Sequence, residues 1–233
     1  MKVLLVVDPQ NDFCPGGSLA VNGGDEIIPV VNELLQSDQF DLRIASKDWH
    51  PENHISFVAN NPGTNLFDTV KIDGVSQVMW PTHCVQGEPG AEFHPKLRVD
   101  LLDAIIEKGT DPKIDSYSAF FDNARQRETP LRRALEAAQK HLGLQGEPIE
   151  IVVCGLALDF CVAYTARDAA QLGYSVKLVL DATRPVESDQ KKVIAMLRDL
   201  QDLGVKVVES RDLLAEEGRS LERETRVERP MEP

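Results

Sequence analysis

The sequence predicts an α/β fold in which a parallel sheet is covered on both faces by helices. Two observations carry that expectation. Short apolar runs of strand length alternate along the chain with segments whose apolar residues recur at helical spacing. Polar side chains also collect at the carboxyl ends of those runs, where an open parallel sheet binds its ligands.

The first strand is expected at 2–7, within Met1-Lys2-Val3-Leu4-Leu5-Val6-Val7-Asp8. Asp12-Phe13-Cys14-Pro15-Gly16-Gly17-Ser18 concentrates chain breakers and reads as loop. A helix follows over 25–36, where Ile27, Val30, Val31, Leu34 and Leu35 recur at helical spacing. The second strand is expected at 42–46. Residues 47–100 are rich in Pro, Gly, Asn and His and read as one irregular excursion. Loops longer than ~15 residues in a compact domain are usually functional, so this stretch is a candidate site-builder. The third strand is expected at 104–107. Thr129-Pro130 supplies an N-cap and a first helical residue, and Gly143 a stop. Then come a strand at 149–153, a helix from Cys161 to Leu172-Gly173, a strand at 175–180, a helix over 188–203 stopped by Gly204, and a sixth strand at 205–208. Beyond 210 the chain is charged with little core periodicity, so a short helix and then a disordered or partner-bound tail are expected. The domain is assigned to 1–210 and a charged extension to 211–233.

At 233 residues, with 42% hydrophobic and 27% charged, the chain suits one globular domain. Its formal charge of −13 argues against a nucleic-acid surface, which needs a basic stripe. No apolar run approaches ~18 residues, so no membrane span is expected, and the first residues are too short for a secretory leader. Cys14, Cys84, Cys154 and Cys161 lack the paired spacing of a disulfide framework or a thiolate zinc site. A reduced, cytoplasmic protein is therefore expected.

The chemistry concentrates after the strand at 149–153, where Cys154-Gly155-Leu156-Ala157-Leu158-Asp159-Phe160 delivers Cys161 to the start of a helix. A thiol there faces unpaired backbone N–H groups and the positive end of the helix dipole, which favours the thiolate. The same N–H groups can hold an oxyanion. Asp8 ends the first strand, Asp48 and His50 follow the second, and Lys108 ends the third. Each has an ordinary structural explanation alone: a buried core cysteine, a loop-capping aspartate, a hydrogen-bonded histidine, a solvated lysine. Together they form a workable unit in which Asp8 takes the thiol proton and Lys108 stabilises both charges. Asp48-Trp49-His50 places a carboxylate and an imidazole at i and i+2, facing the same way on an extended segment. His83 is a third candidate ligand, and three protein ligands leave open positions on a metal. His54 is a weaker candidate, as a turn cap or as support for a ligand, and Cys84 is expected to pack. Phe13, Leu19, Trp80, Tyr117 and Phe160 suit a planar aromatic substrate if they line one mouth; otherwise they are core.

Six segments stand in a telling order: Asp8-Pro9-Gln10-Asn11-Asp12-Phe13, Gly16-Gly17-Ser18-Leu19, Lys47-Asp48-Trp49-His50-Pro51, Trp80-Pro81-Thr82-His83-Cys84-Val85-Gln86-Gly87, Lys108-Gly109, and Gly155-Leu156-Ala157-Leu158-Asp159-Phe160-Cys161-Val162. Together they resemble the nicotinamidase branch of the isochorismatase-like cysteine hydrolases. The resemblance implies a three-layer α/β/α fold with a six-stranded parallel sheet in the order 3-2-1-4-5-6. It implies an Asp8–Lys108–Cys161 triad, a cis peptide at Leu156–Ala157, and the Ala157 and Cys161 amides as oxyanion donors. Asp48, His50 and His83 match the ligands of one divalent metal ion, with zinc first and iron or manganese as alternatives. Phe13, Leu19, Trp80, Tyr117 and Phe160 then surround the substrate. The implied activity is hydrolysis of nicotinamide, or of the related pyrazinamide, to the acid and ammonia through a Cys161 thioester, feeding NAD salvage. The alternative is another amide or carbamoyl hydrolase of the superfamily. Neither nucleic acid nor membrane is an implied partner, and a homo-oligomer is left open. Leu158 departs from the pattern, since relatives often carry Thr there, and 110–115 is longer than in some relatives.

Overall fold

The computed structural model describes residues 1–215. In chain order the elements are β1 (Lys2–Val7), α1 (Ile27–Gln36), β2 (Leu42–Asp48), β3 (Thr69–Ile72), β4 (Val75–Val78), β5 (Ala104–Lys108), α2 (Leu131–His141), β6 (Glu150–Leu156), α3 (Ala163–Gln171), β7 (Ser175–Arg184), α4 (Gln190–Asp202) and β8 (Lys206–Val208). Six of the strands form one sheet in the order β5-β2-β1-β6-β7-β8, every neighbouring pair parallel. The predicted α/β class is therefore present. The predicted order 3-2-1-4-5-6 differs in its numbering because β3 and β4, an antiparallel pair apart from the main sheet, interrupt the excursion that reads as wholly irregular.

The central strands are apolar on both faces because both faces are covered. Val3, Leu5 and Val7 join Ile44, Ile151 and Val153 in a cluster with Leu131 and Leu135 of α2, Ala163, Ala166 and Ala169 of α3, and Leu200 of α4. The alternate residues Leu4 and Val6, with Ala45, Val152 and Val179, pack on Ile27, Ile28, Val31, Leu34 and Leu35 of α1. Each of those α1 side chains contributes roughly 1.5–3 kcal/mol by leaving water. Leu213 is buried on the same side.

Some boundaries move. β2 runs through Asp48, so this carboxylate ends the strand and does not follow it. α2 starts at Leu131, whose N–H donates to Thr129 Oγ1 at 3.2 Å, and α4 is capped by Asp189, which accepts from Lys191 N at 2.9 Å. The greater part of the predicted tail, 216–233, lies outside the described residues. No helix among the described residues is long and apolar enough to cross a membrane.

The chain enters the sheet at β1, steps to β2 and β5 on one side, then crosses to β6 on the other. A crevice opens where the order reverses, beyond the carboxyl ends of β1 and β6. Gly155, near the end of β6, has φ +115, and a Cβ there would run into the Val7 backbone. The close approach of these two strands therefore requires glycine.

Candidate active site

Asp8 stands at the end of β1 with φ +46, a left-handed conformation that Asp tolerates better than most residues, and it turns the chain out of the sheet. Its Oδ1 accepts from Ser46 Oγ at 2.7 Å and its Oδ2 lies 2.9 Å from Lys108 Nζ. Lys108 ends β5 in register with Asp48 of β2. Its buried ammonium also meets Asp48 Oδ1 at 2.5 Å, Ser116 O at 2.8 Å and Cys161 Sγ at 3.4 Å. The Leu156–Ala157 peptide after β6 is cis. The following turn, Leu158–Val162, is π-helical: Val162 N–H donates to Ala157 O, five residues back, at 3.1 Å. It runs into α3 and brings Cys161 Sγ within 4.8 Å of carboxylate oxygens of Asp8 and Asp48.

Burial works against the thiolate that a helix start favours. Burial pushes the Cys161 thiol well above its ordinary value; Asp8 and Asp48 add to the rise and Lys108 opposes it. Burial also pushes Asp8 up to about 6, against the pull of Lys108. For Lys108, burial would favour the neutral amine, but Asp48 and Asp8 outweigh it and hold the ammonium charged. With no divalent cation in place, the site at neutral pH is thus a thiol beside a carboxylate with raised proton affinity, joined by the Lys108 ammonium.

Asp48, His50 and His83 come together as predicted, each buried, with potential ligand atoms within 4.8 Å of one another. His50 Nε2 is 3.6 Å from Asp48 Oδ2, the oxygen that Lys108 does not engage. His50 Nδ1 hydrogen bonds to Gly109 O at 2.8 Å and His83 Nδ1 to Pro81 O at 2.7 Å. A carbonyl only accepts, so both rings carry their proton on Nδ1 and can turn an Nε2 lone pair inward. Burial, then the neighbouring His50, pushes His83 down to about 4, which keeps that ring neutral. Burial disfavours charge on His50 as well, but Asp48 beside it raises its pKa. His54 stacks on His50 with ring centroids 4.2 Å apart and bonds Ser56 Oγ through Nδ1 at 2.7 Å. Its buried Nε2 has no partner among the described residues. A carboxylate oxygen, two inward imidazole nitrogens and a nearby orphaned third form a donor set that fits a divalent cation.

A partly open cavity lies over Cys161. Phe13, Leu19, Trp80, Tyr117 and Phe160 all line it, with Ala157, Asp48 and His83. Trp80 and Phe160 meet edge to face at 4.9 Å, and Trp80 Nε1 donates to Tyr117 Oη at 3.2 Å. Two lining residues escape sequence reasoning. Asp115 is buried and tied to Gln77 Nε2 at 3.0 Å. Val186 lies beyond the end of β7, held by Asp159, which accepts from Val186 N and Glu187 N at 2.9 and 2.7 Å. The position of Val186 just past a strand's carboxyl end was the available signal; Asp115 offered only a polar run, Asp115-Ser116-Tyr117-Ser118, in a loop.

A family profile described as Isochorismatase domain matches residues 2–212. The chain belongs to this family. It is 44% identical over 187 residues to the nicotinamidase of Escherichia coli (strain K12), covering 79% of this chain and 84% of that one. A solved Acinetobacter nicotinamidase/pyrazinamidase superposes with a TM-score of 0.82 at 42% identity, covering 91% of this chain and 97% of the other. The pyrazinamidase of Pyrococcus horikoshii, solved in complex with zinc, gives a TM-score of 0.68 at 36% identity and coverages of 89% and 98%.

Proposed function

We propose that this isochorismatase-family chain hydrolyses nicotinamide to nicotinic acid and ammonia through a Cys161 thioester, feeding NAD salvage. One observation carries the reading: Cys161 Sγ lies 3.4 Å from Lys108 Nζ, which is 2.9 Å from Asp8 Oδ2, at the floor of an aromatic-walled cavity that Asp48 and His83 also line. Likeness to nicotinamidases over most of the chain supports the substrate.

Phe13, Leu19, Trp80, Tyr117 and Phe160 hold the flat ring so that the carboxamide carbon faces Sγ. Asp8 accepts the thiol proton as sulfur attacks, and the Ala157 and Cys161 N–H groups receive the oxyanion. Collapse breaks the C–N bond, and Asp8 returns the proton to the departing nitrogen, releasing ammonia. Asp8 then takes a proton from water as its oxygen attacks the thioester carbonyl. Cleavage of the C–S bond frees nicotinic acid, and the proton returns to sulfur. Lys108 stays charged throughout and balances whichever of Asp8 and Cys161 is anionic.

Asp48, His50 and His83 would hold one divalent cation, which we assign as zinc. When bound, it supplies Lewis acidity at the pocket wall for an electron-rich ring atom.

The test is ammonia release from nicotinamide by purified protein, before and after chelation and zinc return, alongside Cys161→Ala. Release that falls with chelator, recovers with zinc and vanishes in Cys161→Ala is expected. Activity only on a carbamoyl compound or another amide would discard the substrate, and turnover by Cys161→Ala would discard the thioester.

A further inference from the structure

The segment Asp8-Pro9-Gln10-Asn11-Asp12-Phe13 contains a buried side chain that the reaction does not use. Gln10 is fully buried, and both polar atoms of its amide bond to backbone. Its Nε2 donates to Asp48 O at 2.7 Å and to Ala91 O at 2.8 Å, and its Oε1 accepts from Asp48 N at 2.7 Å.

The need for this clamp follows from the end of the sheet. Ser46 O still accepts from Asp8 N at 3.2 Å, so that edge of β2 faces β1. Asp48, two residues on, presents its own N–H and C=O to the same side. By then β1 has turned away at Asp8, leaving those two groups buried without a strand to pair with. The Gln10 amide supplies what the missing strand would have supplied, an acceptor for the N–H and a donor for the C=O. On its other edge Asp48 stands in register with Lys108, and Trp49 N donates to Lys108 O at 2.9 Å. Between them these contacts fix the Asp48 backbone on both sides and aim Oδ1 at Lys108 and Oδ2 at His50.

We infer that Gln10 is a positioning residue that sets how tightly the site holds its cation, acting through Asp48. The inference rests on the proposed cation site. Both polar atoms of the Gln10 amide bond to backbone, two of the three bonds to Asp48, so its influence passes through the carboxylate it places.

The experiment is zinc titration of chelator-treated, substrate-free protein in competition with a chromophoric chelator. It compares wild type with Gln10→Met and with Leu34→Ala, a cavity variant buried under the opposite face of the sheet. Partners that orient a metal ligand are typically worth 10–100-fold in affinity, so Gln10→Met should bind zinc at least about tenfold more weakly. Leu34→Ala should bind as wild type although it too melts earlier. Zinc affinity in Gln10→Met within about twofold of wild type overturns the inference, since an orienting partner is worth more than that. Equal weakening in Leu34→Ala overturns it as well, because affinity would then follow general stability. If Gln10→Met fails to fold, Gln10→Glu is read by the same criteria; it keeps one acceptor for Asp48 N and sets a carboxylate oxygen against two carbonyls. Wild type that binds no zinc removes the cation site and this inference together, whereas intact wild-type binding with no change in the variants removes only the role of Gln10.

Discussion

Lys108→Met is the most severe test of the buried charge cluster. The substitution keeps the length of the stem and removes an ammonium that contacts Asp8 Oδ2 at 2.9 Å and Asp48 Oδ1 at 2.5 Å. Both carboxylates are buried, so neither can turn to water. Breaking a buried ion pair by deleting one partner costs about 3–5 kcal/mol. For a chain of this size a kilocalorie moves Tm by about 2–4 °C, which makes the expected drop about 6–20 °C near pH 7.5. The deficit must also depend on pH with a definite sign. Asp8 has a folded-state pKa raised from 3.8 to about 6 even with Lys108 present, and without the ammonium it rises further. An ionised group of this kind is costly above its folded pKa and costless below its unfolded one, so the gap between variant and wild type should narrow near pH 4.5. Calorimetric melts of both proteins after chelation read the two quantities directly. A Tm within about 3 °C of wild type near pH 7.5, corresponding to about 1 kcal/mol, would refute the reasoning. So would a deficit as large at pH 4.5.

Three further outcomes follow from the same geometry. In metal-free protein the ionised Asp8 carboxylate is a cost that appears as pH rises from about 4 to about 6, worth about 3 kcal/mol; urea titrations should show Asp8→Asn gaining that much on wild type across the window, and a constant gap refutes it. Gly109→Ala places a Cβ at φ +63 against the His50 ring, so stability should fall by about 1 kcal/mol or more and retained zinc should drop, read by melting and by metal analysis after dialysis. Cys161→Ala should still bind nicotinamide in a calorimetric titration while releasing no ammonia; loss of binding would mean that the thiol holds the substrate as well as attacking it.

Much of the sheet was legible because a parallel strand covered on both faces must be apolar throughout, and 2–7 and 149–153 read that way without further information. The β3–β4 hairpin was legible too but was hidden by its surroundings. Asp73-Gly74, at φ +48 and +84, is the two-residue turn expected between paired strands, yet the surrounding Pro, Gly and Asn made the whole stretch read as irregular. Asp8, Asp48, His50, Lys108 and Cys161 stood out as candidates because strand ends are special places in such a sheet, and His83 because it lies in the long excursion. Gln10 and Asp115 did not, and the reason is physical. The role of Gln10 depends on β1 leaving the sheet opposite Ser46 while β2 runs two residues further to Asp48, a relation between two strands that neither strand's sequence contains. Asp115 enters the cavity from a loop whose course is set by packing, Asn123 N donating to Asp115 O at 2.8 Å.

At Cys161 the helix-start effect is outweighed for a related reason. A cysteine at a helix start is stabilised as thiolate by nearby N–H dipoles, an effect that fades within one turn. Cys161 is the fourth residue of a π turn and is 6% exposed, so desolvation acts on it at full strength. Around it Asp8, Asp48 and Lys108 leave a formal surplus of one negative charge, which also opposes ionisation. In the proposed mechanism the proton leaves sulfur for an acceptor whose own affinity is raised by the same burial, a part that Asp8, at about 6, would fill. A divalent cation held by Asp48, His50 and His83 would reverse that formal surplus and favour the charged forms of both Cys161 and Asp8. Asp48 meets Lys108 through Oδ1 and faces the cation site through Oδ2. Asp48 would therefore link charge at the proposed cation site to the ammonium that balances Cys161 and Asp8.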